Sequence, residues 1–314
     1  MSVEADIINR FFKKKTSAPL GIGDDAALIN KNTKEYWALS QDTLNVNTHF
    51  LPSTPALDLG WKALAVNVSD IYAMGGQPKY ALVSIAINKH NMPWLEDFSR
   101  GLHQCAKKYG VEIIGGDTTR GQTSISITII GSVEKKKVLK RSGAKLHDDI
   151  WITGQIGLAA LGLDCLKKKI TLSEAAAKLA IKCLYKPSPT DIQSLQKYQL
   201  FHSAIDISDG VIADLSHILT SSNLSANIFC AQLPVSAWIK KEKAFDYALY
   251  GGDDYQLLLT APAKNRNRIK KLAAQKRLKI THVGQVTNEK KMMVFDPNGK
   301  PMKIVNKGFK HFVK

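Results

Sequence analysis

The sequence predicts an α/β (α+β) chain of two related domains, and three features predict it. Strand-like and helix-like segments alternate through both halves. A charged stretch, EKKKVLKRSGAKLHDD from Glu134, separates the halves without any periodic apolar pattern. Short acidic signatures recur on either side of it. The expected domains are 1–137 and 138–314.

The first segment reads as an amphipathic helix, with Ile7, Ile8, Phe11 and Phe12 on one face. A Gly-rich turn, GIGDDAAL from Gly21, leads to a strand at 36–40. After Pro52 and Pro55, apolar residues Leu57, Trp61, Leu64, Val68 and Ile71 recur at intervals of three and four until Gly75-Gly76, which predicts a helix of about four turns. A strand at 79–87, a helix at 94–109, a buried strand at 111–114 and an alternating strand at 123–133 complete the first half. The second half reads as a strand at 150–153, helices at 159–167 and 174–184, a Pro-Ser-Pro break at 187–189 and a strand at 203–207. A helix at 210–219 follows, then strands near 226–230, 255–260 and 282–286 and a basic helix.

Composition fixes the broad class. At 44% hydrophobic and 23% charged residues, the 314-residue chain has ordinary globular values, which exclude disordered, collagenous and low-complexity classes. Its apolar runs, such as 81–87, fall far short of the ~18 residues of a membrane span, so a soluble protein is expected. Glu4 and Asp6 precede the first apolar residues and lysines follow them, the wrong order for a secretory signal. Four cysteines without a CxxC pair give neither a zinc site nor a disulfide framework, and the expected compartment is the cytoplasm. The net charge is +17, but from Lys240 onward 18 Lys and Arg face 6 Asp and Glu, so +12 of it lies in the C-terminal quarter. Much of that excess falls in one helical stretch around Ile269, Leu272 and Ala273, which reads as a solvated face able to steer small anions. With no RRM, KH or helix-turn-helix signature, neither nucleic acid nor membrane is an expected partner.

Acidic residues in this basic chain recur beside Gly and Ser at the ends of apolar runs. They are Asp24 and Asp25 in GIGDDAAL, Asp42 in LSQDTL, Asp70 in VNVSDIYAMGG, Asp117 in IIGGDTTRG, Asp206 and Asp209 in AIDISDG, and Asp253 and Asp254 in LYGGDDYQL. Each alone fits a turn or N-cap, and Asp209 reads as the N-cap of the helix containing Val211 and Leu215. Asp70 fits poorly, because in the last turn of its helix the dipole disfavours a carboxylate by ~0.3 to 1 kcal/mol. Ser-Asp recurs at 69–70 and 208–209, and Gly-Gly-Asp at 115–117 and 251–253. Glycines admit phosphate close to the backbone and clustered carboxylates are the hard oxygen donors magnesium prefers, so the pattern points to several magnesium ions holding a polyphosphate. No GxxxxGK[ST] loop, HRD or DFG run, GxSxG elbow or HExxH pair is present, and Gly21-Ile22-Gly23 is too short for a dinucleotide fingerprint.

On these residues the sequence resembles the thiamine-monophosphate kinase family, within the superfamily that includes aminoimidazole ribonucleotide synthetase and selenophosphate synthetase. The stretches are GIGDDAAL, SQDTLNVNTHF, KALAVNVSDIYAMGGQP, IIGGDTTRG, RSGAK, KPSP, AIDISDG, ALYGGDDYQL and GFKHF, spread over nearly the whole chain. The resemblance implies the two-domain aminoimidazole ribonucleotide synthetase-like fold: an N-terminal mixed sheet with helices, serving ATP, magnesium and dimerisation, and a C-terminal α/β domain completing the substrate site. It implies phosphorylation of thiamine monophosphate by ATP to thiamine diphosphate, several magnesium ions, and a homodimer formed by the N-terminal sheets.

Carried over by position, Asp25, Ser40, Gln41, Asp42, Asp70, Asp117, Asp206 and Asp209 are implied to hold magnesium. Tyr109, Gly116, Asp117, Arg141 and Ser208 are implied to contact ATP, and His49, Asp253 and Phe309 the thiamine monophosphate, with Phe309 as a stacking surface. Asp42, Asp70, Asp117 and Arg141 are the implied catalytic set, Arg141 clamping the nucleotide phosphates. Three departures stand out: Gln41 replaces the usual Thr, and Asp253 and Gln256 replace glutamates of a Gly-Gly-Glu-Asp-Tyr-Glu run. A phosphate acceptor is already ionised, so direct in-line transfer needs relief from repulsion rather than a general base. Two rival readings remain, another ATP-using synthetase of the superfamily with an amide or selenide acceptor, and a basic nucleic-acid-binding protein. The GFKHF and 48–50 segments favour the kinase over the first. The second leaves the carboxylates unexplained.

Overall fold

A computed structural model of the chain describes residues 3–89, 91–242, 244–305 and 308. In the first half, α1 (Val3–Ile7) precedes β1 (Ala27–Asn30), β2 (Glu35–Asn45), α2 (Ala56–Ala73), β3 (Gln77–Ile87), α3 (Met92–Tyr109), β4 (Glu112–Arg120) and β5 (Ser124–Glu134). Among the described residues these strands form a mixed sheet in the order β1-β2-β5-β3-β4, antiparallel except where β3 and β4 run parallel. β5 shows why the sheet has two unlike faces. Ile125, Ile127 and Ile129 are buried towards the helices, while Ser124, Ser126 and Thr128 alternate with them on an open face.

The second half contains β6 (Asp148–Thr153), α4 (Leu158–Leu166), α5 (Glu174–Tyr185), α6 (Gln193–Gln196), β7 (Ser203–Asp206), α7 (Val211–Ser222) and β8 (Ser225–Phe229). It continues with α8 (Ala237–Lys241), α9 (Asp246–Leu249), β9 (Leu257–Pro262), α10 (Arg266–Gln275), β10 (Ile280–Thr287), β11 (Met293–Phe295) and β12 (Pro301–Met302). Its sheet, in the order β12-β11-β8-β10-β6-β9-β7, is covered on both faces. Trp151, Ala204 and Leu259 join the core around α2, whereas Ile150, Ile152, Ile205 and Leu258 join the core containing Leu161 of α4 and Leu215 of α7.

The organising element is α2. It is apolar on nearly every side, the mark of a helix buried all round. β2, β3 and β5 of the first sheet contact it, and so do β7 and β9 of the second. α3 lies along it at backbone contact: a Cβ at Gly101 would fall 1.7 Å from the Leu57 carbonyl oxygen, and one at Gly60 2.0 Å from that of Phe98.

Two expectations are corrected. The first amphipathic segment is α-helical only to Ile7 and continues as a π-helical turn at Ile8–Phe12, which leaves Phe11 and Phe12 69% and 65% exposed. Its periodicity marks no core. The expected buried strand at 111–114 is the start of a longer, largely exposed one, because parallel pairing with β3 carries the chain on to Arg120 at the sheet edge. Gly115-Gly116-Asp117 therefore lies within a strand rather than in a turn.

No helix among the described residues is long and apolar enough to cross a membrane. Replacing Gly101 with Ala should force α2 and α3 apart and lower the unfolding free energy by about 3 kcal/mol. A denaturant titration checks this; an unchanged midpoint would contradict the close approach.

Candidate active site

A cleft of about 870 Å³ opens between the two sheets, within the size range of small-molecule sites. Three carboxylates meet at its floor. Asp25 comes from the loop before β1, Asp70 from the last turn of α2 and Asp206 from the end of β7, and one oxygen of each lies within 4.8 Å of the others. Each arrives there for a local reason. β7 ends at Asp206, and α2 stops three residues after Asp70. Asp25 is fixed by Arg141, whose guanidinium donates to Oδ1 at 2.5 Å. The Arg141 backbone N–H points at the Asp24 carboxylate, 3.3 Å away.

β2 adds the next layer. Ser40 donates to Asp70 at 2.6 Å, and the Asp42 N–H donates to Asn67 at 3.1 Å, so alternate β2 residues face α2 and the cleft. Gln41 falls on the opposite face, where its side-chain carbonyl accepts from Thr128 at 2.6 Å. Its side chain is thus turned from the carboxylates even though the residue borders the cleft. Ser208 and Asp209 line the cleft just beyond Asp206. Asp209 is not the expected N-cap: Gly210 holds that position, and the buried Asp214 carboxylate accepts the N–H groups of both Asp209 and Gly210 at 3.1 Å.

These carboxyls are held above their ordinary range. Burial pushes Asp42 up to about 6, helped by the charge on Asp25. Burial raises Asp70 well above the usual value, with Asp42, Asp206 and Asp25 adding to it, and Asp206 likewise, with Asp25 next in weight. Burial also raises Asp25, against the pull of Arg141. A divalent cation bound among them would reverse that logic by favouring the ionised forms. The donor set is oxygen only, which fits a hard ion such as magnesium.

His49, Asp253 and Tyr255 also line the cleft, Asp253 lying next to the Ser208–Asp209 segment. The His49 Nδ1 accepts the Asn45 N–H at 2.9 Å, fixing the ring in the loop after β2. Asp253 takes a left-handed backbone (φ 67°), held by its N–H to the Ser208 carbonyl at 2.9 Å. Its carboxylate accepts from the Tyr255 hydroxyl at 3.2 Å and pairs with Lys62 at 3.0 Å. The neighbouring departure is explained by bonding. Gln256 accepts from Thr153 and Thr190 and donates to the Ser188 carbonyl at 3.0 Å, a donation a glutamate cannot make. Asp254 is structural, accepting the Gly157 N–H at 2.7 Å at the start of α4.

Three expected residues are not brought to this cleft. Asp117 pairs in register with Ser84, itself opposite Ser126 and then Thr43, so it lies on the open sheet face three strands from β2, roughly 14 Å across the sheet. Gly116 adjoins it on β4. Tyr109 packs edge-on against Trp61 and Tyr72. Phe309 lies outside the described residues, although neighbouring Gly308 is buried so near Asp209 that a Cβ there would sit 2.5 Å from the Asp209 carbonyl oxygen. Lys62 was not foreseen. The signal was present, since it is the single charge between Leu59 and Ser69 in a buried helix.

The fold and this acidic cleft define a class, the AIR synthase related proteins. The family model for their N-terminal domain matches residues 23–133, and that for their C-terminal domain residues 147–296. Within that class, the thiamine-monophosphate kinase of Escherichia coli K12 is 39% identical over 98% of each chain, and that of Aquifex aeolicus 33% identical over 95% of each. Among solved structures, AaThiL complexed with AMPPCP and TMP is 32% identical, with a TM-score of 0.83 over 98% of this chain and 96% of that one. The thiamine-monophosphate kinase of Stenotrophomonas maltophilia is 36% identical, with a TM-score of 0.79 over 95% of each. The hydrogenase maturation protein HypE, 19% identical with a TM-score of 0.71 over 96% of this chain and 95% of that one, shares the fold. The chain belongs to the thiamine-monophosphate kinase family.

The raised carboxyls set a pH dependence. Between about pH 4 and about pH 6 the metal-free folded state keeps protons that the unfolded chain has released, so its stability should fall as pH rises through that window. Magnesium requires the ionised forms, so binding at about pH 6 should release protons, read as a buffer-dependent heat in calorimetry. Heats identical in buffers of different ionisation enthalpy would contradict the shifts.

Proposed function

We propose that this chain transfers the γ-phosphoryl group of ATP directly to the phosphate of thiamine monophosphate, giving ADP and thiamine diphosphate. The observation that carries the reading is the trio Asp25, Asp70 and Asp206 on the cleft floor, with Arg141 bonded to one of them, in a chain of this family. Both substrates are anionic, and bare carboxylates would repel them. Magnesium ions held by these aspartates, with Asp42, Asp209, Ser40 and the Gln41 backbone oxygen around them, would screen that repulsion and neutralise charge gathering on the departing ADP.

The chain's own groups do the rest. Arg141, already placed beside Asp25, clamps nucleotide phosphates, and Ser208 offers a hydroxyl at the same rim. His49 and Asp253 orient the acceptor within the cleft, with Phe309 stacking on the thiamine rings. No side chain has to remove a proton, because the attacking phosphate oxygen is largely ionised at neutral pH.

Asp117, Gly116 and Tyr109 fit this scheme through a homodimer. The open face of the first sheet carries Asp117 beside half-exposed Tyr80 and Leu82, a surface suited to a second copy. A second copy would bring its own Asp117 to the magnesium and ATP of the first. The compartment assigned with this reading is the cytoplasm, where reducing conditions would keep the four unpaired cysteines as thiols.

Incubation with ATP, magnesium and thiamine monophosphate should yield thiamine diphosphate, with none from thiamine alone or without the metal. Absence of product while ATP still binds would move the acceptor elsewhere in the superfamily. Asp70→Asn and Asp117→Asn should each abolish turnover while folding normally. An equal mixture of the two, after subunit exchange, should recover about a quarter of wild-type activity, since half the dimers are mixed and each has one intact site of two. No recovery from exchanged dimers would show that Asp70 and Asp117 serve one site within a single chain.

A further inference from the structure

Lys62 is the most deeply buried cation of the cleft. Its side chain is 2% exposed on a helix whose neighbouring positions, Leu59, Ala63 and Val66, are apolar. Lysine is almost never fully buried unless paired, and here the partner is specific: Nζ lies 3.0 Å from Asp253 Oδ2 and 3.5 Å from the His49 carbonyl oxygen. Those are two of the residues that orient the acceptor under the proposed function. Helix geometry separates Lys62 from Asp70. Asp70 lies eight positions further along α2, a rise of roughly 12 Å.

Asp253 needs holding. Its backbone is in the left-handed region, which costs a non-glycine residue conformational energy and persists only where surrounding bonds enforce it. One carboxylate oxygen accepts from Tyr255 and the other from Lys62, so the side chain is pinned between the β9 approach and α2. The side chain stays 30% exposed towards the cleft, and each oxygen keeps a lone pair for a ligand. The shorter Asp, where relatives are expected to carry Glu, has less freedom to search for its partner, which makes a fixed counter-charge more consequential.

We propose that Lys62 is a positioning residue for the acceptor, fixing the Asp253 carboxylate in the cleft and thereby setting affinity for thiamine monophosphate. This rests on the reading that Asp253 contacts the acceptor. Lys62 itself touches none of the reacting phosphates.

The test compares Lys62→Met, Asp253→Asn and the double variant in steady-state kinetics with each substrate varied. Lys62→Met should raise the KM for thiamine monophosphate roughly tenfold or more while the KM for ATP stays within about twofold. The double variant should be no worse than the poorer single, because Lys62 acts through Asp253. Equal rises in both KM values, or effects that multiply in the double variant, would overturn the proposal. Thermal melts establish folding. Should Lys62→Met not fold, Lys62→Gln keeps an N–H donor, and its KM for thiamine monophosphate should lie between those of wild type and Asp253→Asn; a wild-type value would overturn the assignment. A wild-type enzyme inactive on thiamine monophosphate would defeat the functional reading itself, whereas an active wild type with an unaltered Lys62→Met defeats only the role of Lys62.

Discussion

Like charges that are forced together in a buried place must be neutralised, and the cleft is arranged around that constraint. Asp25, Asp70 and Asp206 come from a loop, a helix end and a strand end in different halves of the chain, yet one oxygen of each lies within 4.8 Å of the others. Burial, with mutual repulsion at Asp70 and Asp206, raises the titration range of each and so favours the protonated form when no cation is bound. Arg141 neutralises part of the charge on one. A divalent ion would do so with the least rearrangement, because it supplies two charges and takes several oxygen ligands at once.

The fold meets the constraint by burying α2 between two sheets. That helix carries Lys62, Asn67 and Asp70, so a single rigid element sets the spacing of Lys62 and Asp70 along the cleft. Packing at Gly60 and Gly101 fixes where it lies, and the contacts of β7 and β9 with it bring Asp206 and Asp253 to the same cleft. Most of the protein's positive charge is elsewhere. On α10, Arg268, Lys270 and Lys271 are exposed while Arg266 forks onto the buried Asp149. Such a surface raises the local concentration of anionic substrates without occupying the site.

Much of this was legible in the residues. The three-and-four spacing gave α2 its extent, and the dipole argument singled out Asp70, because both depend on local periodicity. Asp206 followed from an apolar strand ending in an acid. What escaped depended on contacts far apart in sequence. Asp209 looked like an N-cap because Asp before a helix usually is one, but Asp214, five residues on, satisfies those N–H groups instead. The Gly-Gly-Asp at 115–117 looked like a turn because strand pairing with β3 is invisible to composition. The same pairing puts Asp117 on the open face, away from the cleft. Lys62 went unread: its place as the lone charge between Leu59 and Ser69 is a local signal of burial, but its pairing with Asp253, far along the chain, is not.

The three carboxylates are proposed to form a divalent-metal centre. Manganese reports on it directly, either by anomalous diffraction from crystals soaked with the ion and a non-hydrolysable ATP analogue, or by the electron paramagnetic resonance of protein-bound manganese. The account predicts ions ligated by Asp25, Asp70 and Asp206, with the bound signal lost in Asp206→Asn. Manganese bound elsewhere, or held equally well by that variant, would contradict it.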